Sequence, residues 1–168
     1  KLGLPRPVIL KNFEDALSYD SSRADFIARY AEELFRLQVR SKVSGRHVLE
    51  AKAYFKLILN KHNSQHVRAN FYMGRILLGE WDKQRNRRPG DTLHNRAQSH
   101  FESVIKHNGG NEFPAAFMEI GNILRDRSMH RLSRKYYQKY LETYRRVKRR
   151  DPPNARYVRE LMRKHKAP

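Results

Sequence analysis

The sequence predicts an all-α protein of three irregular helix hairpins, with an extended N-terminal arm before them and a C-terminal capping helix after them. Apolar residues recur at intervals of three and four positions along most of the 168 residues, and no segment alternates apolar and polar residues over the length of a strand. The same small and aromatic residues also recur at matching offsets in three places. Such self-similarity is typical of stacked helix pairs, and it predicts the hairpins.

Prolines mark both ends of the repeated region. Pro5 and Pro7 favour extended backbone in the residues before them, which indicates an extended arm. A second pair of prolines follows the long helical region and stops it, because proline cannot continue a helix. The predicted division is an arm over 1–20, a helical repeat domain over 21–150 and a basic C-terminal helix over 151–168.

Capping and turn residues predict where the helices begin and end. Ser22 starts a capping-box pattern, and the first hairpin is expected to end near Lys61. Gly79 is expected to end the third helix. A polar and basic insertion is predicted over 80–92, because this segment has a Pro-Gly turn and no apolar stripe. Asn111 is expected to cap the fifth helix.

The repeated element is a small residue followed four positions later by an aromatic residue. Ser133 and Tyr137 follow Gly121 by 12 and 16 positions, and an earlier copy fits once eleven extra residues are allowed between its halves. We expect the small residues to lie where two helices approach closely and the aromatic rings to fill the space beside them. The predicted packing residues are Ala51, Phe55, Gly74, Ala97, Phe101, Phe117, Gly121, Ser133 and Tyr137.

This pattern resembles the tetratricopeptide repeat (TPR), whose helix pairs carry an aromatic residue, a Leu-Gly-like pair, an alanine and a second aromatic residue at fixed offsets. The resemblance covers about residues 22–150, and it implies a TPR-like helical scaffold. The first copy contains Phe117, Ile120, Gly121, Ser133, Tyr137 and Tyr140. The second contains Asn70, Met73, Gly74, Ala97, Phe101 and Val104, and the third contains Ala51, Phe55 and Ile58. The usual proline at the end of each repeat is missing.

One binding site of the TPR family holds the acidic tail of heat-shock chaperones with a lysine, asparagines and an arginine. Gly121 and Asn122 match the glycine-asparagine part of that motif. Met118 stands where the lysine is expected, and no helix supplies the arginine. Because the side chains needed to bind a carboxylate are incomplete, chaperone-tail binding is not the favoured function.

Positive charge is the second prominent feature of the chain, with 36 Lys and Arg against 17 Asp and Glu and a formal net charge of +19. Residues 125–168 hold 16 cations and four acids. Arginine outnumbers lysine by 23 to 13, which favours forked phosphate contacts and stacking on bases, so RNA is the favoured polyanion. A solvated helix face is the alternative interpretation. The predicted RNA-binding residues are Arg85, Arg87, Arg88, Arg145, Arg146, Lys148, Arg149, Arg150, Arg156, Arg159, Arg163 and Lys164.

The aromatic residues of the basic half allow two interpretations. Tyr136, Tyr140 and Tyr144 follow helical spacing, which favours packing over stacking on RNA bases. Trp81 lies in the polar insertion, where it either anchors the insertion to the helices or contacts a partner.

Patterns typical of catalysis, metal binding and cofactor binding are missing from the sequence. There is no cysteine, and the segment between His62 and His66 breaks the helix that a metal pair would need. Glu32 and Glu33 are adjacent, so they point in different directions on a helix and cannot act as a paired acid and base. We therefore expect no catalytic or metal-ligating residues, no cofactor and no enzymatic activity. The apolar runs are also too short to span a membrane, so no membrane insertion is expected.

Charge and resemblance together predict a structural subunit of a large ribonucleoprotein that binds RNA and neighbouring proteins. The chain is similar to the helical-repeat proteins of mitochondrial ribosomes, and this similarity implies rRNA as the ligand and the mitochondrion as the location, with the cytoplasm as the alternative. The alternative function is a TPR-like adaptor that binds a peptide or subunit without contacting RNA.

Overall fold

The computed structural model describes residues 12, 15, 20, 23–41, 45–84 and 86–164. Within these residues it contains seven helices of at least ten residues and no strand, which confirms the all-α fold. The helices are α1 (Arg23–Ser41), α2 (Arg46–Lys61), α3 (Val67–Asp82), α4 (Thr92–Asn108), α5 (Ala115–Asp126), α6 (His130–Lys148) and α7 (Ala155–Lys164).

The chain divides into two compact units, Lys1–Ile76 and Leu77–Pro168. In the first unit α1 and α2 pack against each other as a hairpin, and the beginning of α3 covers them. The interior of this unit is apolar and mixes aromatic with aliphatic side chains, because the inward stripes of the helices supply both. Its fully buried residues are Ile27, Ala28, Ala31, Ala51, Tyr54, Phe55, Ile58 and Ala69.

A buried carboxylate joins α1 to α3 inside the first unit. Glu32 is 5% exposed, and it accepts hydrogen bonds from Tyr72, at 2.6 Å, and from the guanidinium of Arg68. Arg36 forms an ion pair with the same carboxylate. Burial and the bond to Glu32 raise the pKa of Tyr72 to about 12. Glu33, by contrast, faces solvent, so the two adjacent acids point in different directions, as their helical spacing predicts.

In the second unit α5 packs against both α4 and α6. Gly121 lies at the contact of α5 with α6: a methyl group at this residue would lie 2.6 Å from Cε1 of Tyr137. Ser133 donates a hydrogen bond from Oγ to the carbonyl oxygen of Gly121 at 2.8 Å, and the hydroxyl of Tyr137 donates to Asn122 at 2.8 Å. The small residue on α5 therefore makes room for the aromatic ring on α6, which is the arrangement expected from the repeated pattern.

The short α7 closes the second unit by packing on α6. Val158 and Ala155 are buried in a cluster with Phe117, Tyr137 and Tyr140. The hydroxyl of Tyr140 donates to the side-chain oxygen of Asn154, just before α7, at 2.8 Å. A helix that covers the last apolar surface of a stack is what a capping helix does.

The other predicted packing residues are buried as well. Ala51, Phe55, Ala97 and Phe101 are fully buried, and Gly74 is buried in α3.

Two helix boundaries differ from the sequence-based prediction. The third helix does not end at Gly79 but continues to Asp82. A glycine inside a helix costs only about 1 kcal/mol, and the burial of Trp81 offsets that cost. The fifth helix does not begin after Asn111, because Pro114 occupies the capping position and the side chain of Asn111 instead accepts a hydrogen bond from Arg146.

The arm predicted over 1–20 lies almost entirely outside the described residues. Among its described positions Asn12 and Asp15 are helical and Asp20 is not. In the part of the chain that the structure describes, no helix is long and apolar enough to cross a membrane.

Candidate nucleic-acid interface

The helices α6 and α7 carry 11 of the 22 Lys and Arg residues of the second unit. α6 spans 19 residues and buries one stripe that includes Ser133, Tyr137 and Leu141. The charged residues between these positions point away from α5, because only residues three or four apart share a face of a helix. The exposed cations of α6 are Arg131, Lys135, Lys139, Arg145, Arg146 and Lys148.

Each of the four acids among residues 125–168 already has a partner. Asp151 accepts two hydrogen bonds from Arg145, at 2.8 and 3.0 Å, and one from Arg159 at 2.6 Å. These bonds, from Arg159 first and then from Arg145, lower the pKa of Asp151 below its ordinary value. The remaining pairings are Arg125 with Asp126, Arg156 with Glu160, and Gln138 with Glu142.

The pairing divides the predicted RNA-binding residues into two groups. Arg145, Arg159 and Arg156 contact acids of the same unit, and Arg146 donates to the neutral side chain of Asn111 at 2.6 Å. A second group is exposed and forms no ion pair with any residue in the described ranges. Its members are Lys148, Arg149, Arg150, Arg163 and Lys164.

Arg149 has an unfavourable backbone conformation at the end of α6. Its φ is 53°, in the left-handed region that glycine usually occupies after a helix. An arginine there costs about 1 kcal/mol more than a glycine, and the conformation directs the chain from α6 towards Asp151. Lys148, Arg149 and Arg150 consequently lie together at the turn between α6 and α7.

The predicted basic insertion is organised around Trp81 rather than exposed to solvent as a whole. The ring of Trp81 stacks on His94 with centroids 4.3 Å apart, and its Nε1 donates to the carbonyl oxygen of Arg88 at 3.3 Å. Arg87 covers the indole ring at 5.2 Å and forms an ion pair with Asp82 at 2.8 Å. Trp81 therefore anchors the insertion to the second unit.

Arg88 is exposed, and Arg85 lies outside the described residues.

His94 is the other ring of this stacked pair. It is fully buried, its Nδ1 accepts a hydrogen bond from the amide of Gly90 at 2.9 Å, and its Nε2 has no partner among the described residues. Burial, and secondarily the charge of Arg127, lower the pKa of His94. The ring is therefore neutral at physiological pH, with its proton on Nε2.

A groove between α6 and α7 is the feature that sequence reasoning missed. Two adjoining depressions of about 310 and 520 Å³ run along the polar side of α6 and share Arg134, Gln138, Glu142 and Met162. Arg131, Lys135 and Lys139 extend the groove along α6, and Arg163 borders it from α7. The signal in the sequence was the recurrence of basic residues at offsets of three and four along α6, opposite its apolar stripe.

The tyrosines of α6 pack in or against the apolar core of the second unit and do not extend into solvent. Tyr140 is 4% exposed, and Tyr136 and Tyr144 are half-buried beside it. Burial is the first cause that raises the pKa of Tyr136 and of Tyr140.

A metal site is not found in the described residues, where no three histidine, aspartate or glutamate side chains come together. Nε2 of His66 lies 3.1 Å from Oδ1 of Asp25 in the first unit, a contact that the sequence did not suggest.

Comparison with models of protein families, with curated proteins and with solved structures finds no match for this chain.

Proposed function

We propose that this chain is a non-catalytic, TPR-like helical-repeat subunit of a large ribonucleoprotein, which binds RNA through the basic surfaces of α6 and α7. Its place would be among the structural proteins of a ribosome, with rRNA as the ligand. The mitochondrion is the proposed location, by analogy with the helical-repeat proteins of mitochondrial ribosomes.

One observation carries the RNA proposal: three of the four acids of the C-terminal region form ion pairs with neighbouring arginines, while most of the cations of that region form none with any described residue. Residues 125–168 contain 16 cations, and their four acids already have partners within the same unit. Like charges gathered on one surface destabilise the folded state until a polyanion neutralises them. Arginine-rich surfaces of this kind match phosphate groups in charge and in geometry.

The TPR-like part of the proposal is supported by the contact of α5 with α6. Gly121, Ser133 and Tyr137 occupy the small and aromatic positions of the repeat, and they contact one another as such a repeat requires.

A second candidate function is that of an adaptor that binds protein and no RNA. Large apolar side chains on the α1–α2 hairpin favour it, because Phe26 is 68% exposed, Leu49 is 56% exposed and Leu37 is 51% exposed. Exposed aromatic and aliphatic side chains supply the apolar contacts of protein–protein interfaces. In the ribonucleoprotein proposal, the same side chains contact a neighbouring protein subunit.

The test removes three charges that no described ion pair uses. In the variant K148Q/R149Q/R150Q the contacts of Arg145 and Arg146 remain, so the fold is expected to survive. We expect the slope of log affinity for RNA against log salt concentration to shrink by about 0.7 per lost phosphate contact. Titration of a labelled RNA at several salt concentrations measures the slope.

The matched control is R29Q/R46Q/K56Q, which removes the same number of charges from exposed positions of the first unit. It should retain the parental slope. Purified parent protein that has no absorbance at 260 nm and does not bind labelled RNA would refute the proposal in favour of the adaptor.

A further inference from the structure

We infer that the groove between α6 and α7 binds one unpaired nucleotide of the RNA, with the phosphate on Arg134 and Arg163 and the base against Glu142. This inference rests on the proposed RNA-binding function and names the site and the kind of ligand. It concerns residues that are separate from the turn formed by Lys148, Arg149 and Arg150.

The groove presents a cationic, an apolar and a polar surface, of which the first two come from both helices. Arginines border it on both helices, with Arg134 and Arg145 on α6 and Arg159 and Arg163 on α7. Leu141 and Met162, from the two helices, supply apolar surface within it.

The polar part of the groove is an amide and a carboxylate on α6. Nε2 of Gln138 donates to Oε1 of Glu142 at 2.8 Å, and the carboxylate forms no ion pair with any described residue. Glu142 is thus an exposed acceptor surrounded by cations.

These three surfaces match the phosphate of a nucleotide, the flat face of its base and the hydrogen-bonding edge of its base. Phosphate oxygens accept forked hydrogen bonds from arginine, the flat face of a base packs on apolar side chains, and a carboxylate accepts a hydrogen bond from the amino group of adenine or cytosine. An acidic peptide matches less well, because it would place a carboxylate beside Glu142. A base-paired duplex matches less well too, since its base faces are stacked on each other and cannot enter a groove.

The dimensions and the pairing of the arginines fit one nucleotide with its neighbouring phosphates. The part of the groove bordered by Arg163 has a volume of about 310 Å³, which lies at the lower end of the range for small-molecule sites. Arg134 and Arg145 are eleven residues apart on α6 and therefore about 16 Å apart. Asp151 binds Arg145 and Arg159 at one end, whereas Arg134 and Arg163, which also line the groove, form no ion pair with any residue in the described ranges. Phosphate is therefore expected on Arg134 and Arg163.

The test compares short single-stranded RNAs of adenine, cytosine or uracil by fluorescence anisotropy, with the full chain. We expect the parent to bind the adenine and cytosine strands about fivefold more tightly than the uracil strand, because the one base donor of uracil, N3–H, lies between two carbonyl oxygens that repel a carboxylate. A fivefold difference corresponds to about one net hydrogen bond. In E142Q the preference should disappear, since glutamine can donate to uracil as well as accept from the other bases, while overall affinity rises with the loss of a negative charge. E160Q, which makes the same charge change outside the groove, should keep the preference.

The phosphate part is tested with R134Q/R163Q against R29Q/R46Q, which removes two charges elsewhere. Affinity for all strands should fall at least about tenfold in the groove variant, and the salt slope should shrink by about 1.4, which the control should not show. R163Q alone, at an exposed position, serves if the double variant fails to fold, and it should lower the slope by about 0.7.

Each possible outcome decides one part of the inference. RNA binding that is equal in the groove variant and its control would overturn the groove site and leave the proposed function intact. Parent protein without RNA binding would overturn both. Equal affinity for the three strands, or a preference that E142Q does not alter, would overturn the role of Glu142. Competition by polyglutamate as strong as that by RNA would show a general anion site instead.

Discussion

Gly121 illustrates how one residue can set the distance between two helices. The ring of Tyr137 lies where the side chain of any other residue at this position would begin, and Ser133 donates to the glycine carbonyl beside it. The requirement is for a small volume and not for an unusual backbone, because Gly121 lies within the regular helix α5. The volume of a larger side chain is therefore sufficient to make Gly121 intolerant of substitution.

We expect Gly121→Ala to lower the free energy of unfolding by about 1–2 kcal/mol, since the overlap with Tyr137 outweighs the higher helix propensity of alanine. Gly79→Ala is the matched control, because no atom lies within 4 Å of the added methyl group. It should raise the free energy of unfolding by about 0.5–1 kcal/mol. Chemical denaturation followed by circular dichroism measures both, and equal effects of the two changes would contradict the close contact.

Tyr72 provides a second test at the scale of a single residue. Its hydroxyl donates to the buried carboxylate of Glu32, and loss of a hydrogen bond to a charged group costs about 1.5–3 kcal/mol. Tyr72→Phe should lower the free energy of unfolding by about that amount at neutral pH. Tyr157→Phe, at a side chain that is 55% exposed, should have no measurable effect.

The pH dependence of this difference has a definite sign. The pKa of Tyr72 is raised from 10.0 to about 12 in the folded protein. The stabilisation by the neutral hydroxyl is therefore fully present below about pH 10 and is lost as the pH rises through about 12. The difference in the free energy of unfolding between parent and Tyr72→Phe should narrow over that interval. A difference that stays constant would show that folding does not raise the pKa of Tyr72.

At the scale of elements, the insertion between α3 and α4 is fixed by one stacked pair of rings. Trp81 lies in the last turn of α3 and His94 in the first turn of α4. Asp91 caps α4 by accepting a hydrogen bond from the amide of His94 at 2.9 Å. The charged groups around His94 are Arg127, Asp126, Asp91 and Asp82. Because burial disfavours the charged ring, its protonation should loosen the insertion.

The sole tryptophan reports this event. The pKa of His94 is lowered, so the stabilisation by the neutral ring is present above about pH 6.5 and is lost as the pH falls through the lower pKa of the folded state. Acidification from about pH 8 to well below about pH 6.5 should shift the fluorescence of Trp81 to longer wavelength as the indole becomes solvated. His94→Phe should abolish the shift, and a shift that persists unchanged would assign it to another group.

At the scale of the whole molecule, the net charge of +19 opposes the folded state. Salt screens repulsion between exposed charges over about 10 Å at 0.1 M. The melting temperature of the isolated protein should therefore rise between about 0.05 and about 0.5 M sodium chloride. The melting temperature of a protein held together by surface ion pairs would fall over the same range.

Stabilisation by bound RNA should depend on salt in the opposite direction. A ligand at a concentration one hundred times its dissociation constant stabilises the folded state by about 2.7 kcal/mol, and the affinity of RNA falls steeply with salt. The increase in melting temperature caused by a short RNA should consequently be greatest at low salt and vanish at high salt. Differential scanning fluorimetry with and without RNA measures the increase, and an effect independent of salt would argue against phosphate contacts.

The sequence by itself determined the all-α fold, the approximate helices and the identity of the packing residues, because these depend on local periodicity and on residue size. It predicted Gly121, Ser133 and Tyr137 as a packing set, and those three residues do contact one another. It misplaced the end of α3, where the distant stacking of Trp81 on His94 outweighs the local preference of Gly79.

Only the tertiary structure decided which charges remain available. Asp151 binds Arg145 and Arg159, which are 14 residues apart, while Lys148, Arg149 and Arg150 in the same run have no ion-pair partner among the described residues. The groove between α6 and α7 likewise arises because α7 folds back onto α6. Ion pairs and grooves depend on which segments meet in space, and that is set by the packing of the helices and not by the order of residues along any one of them.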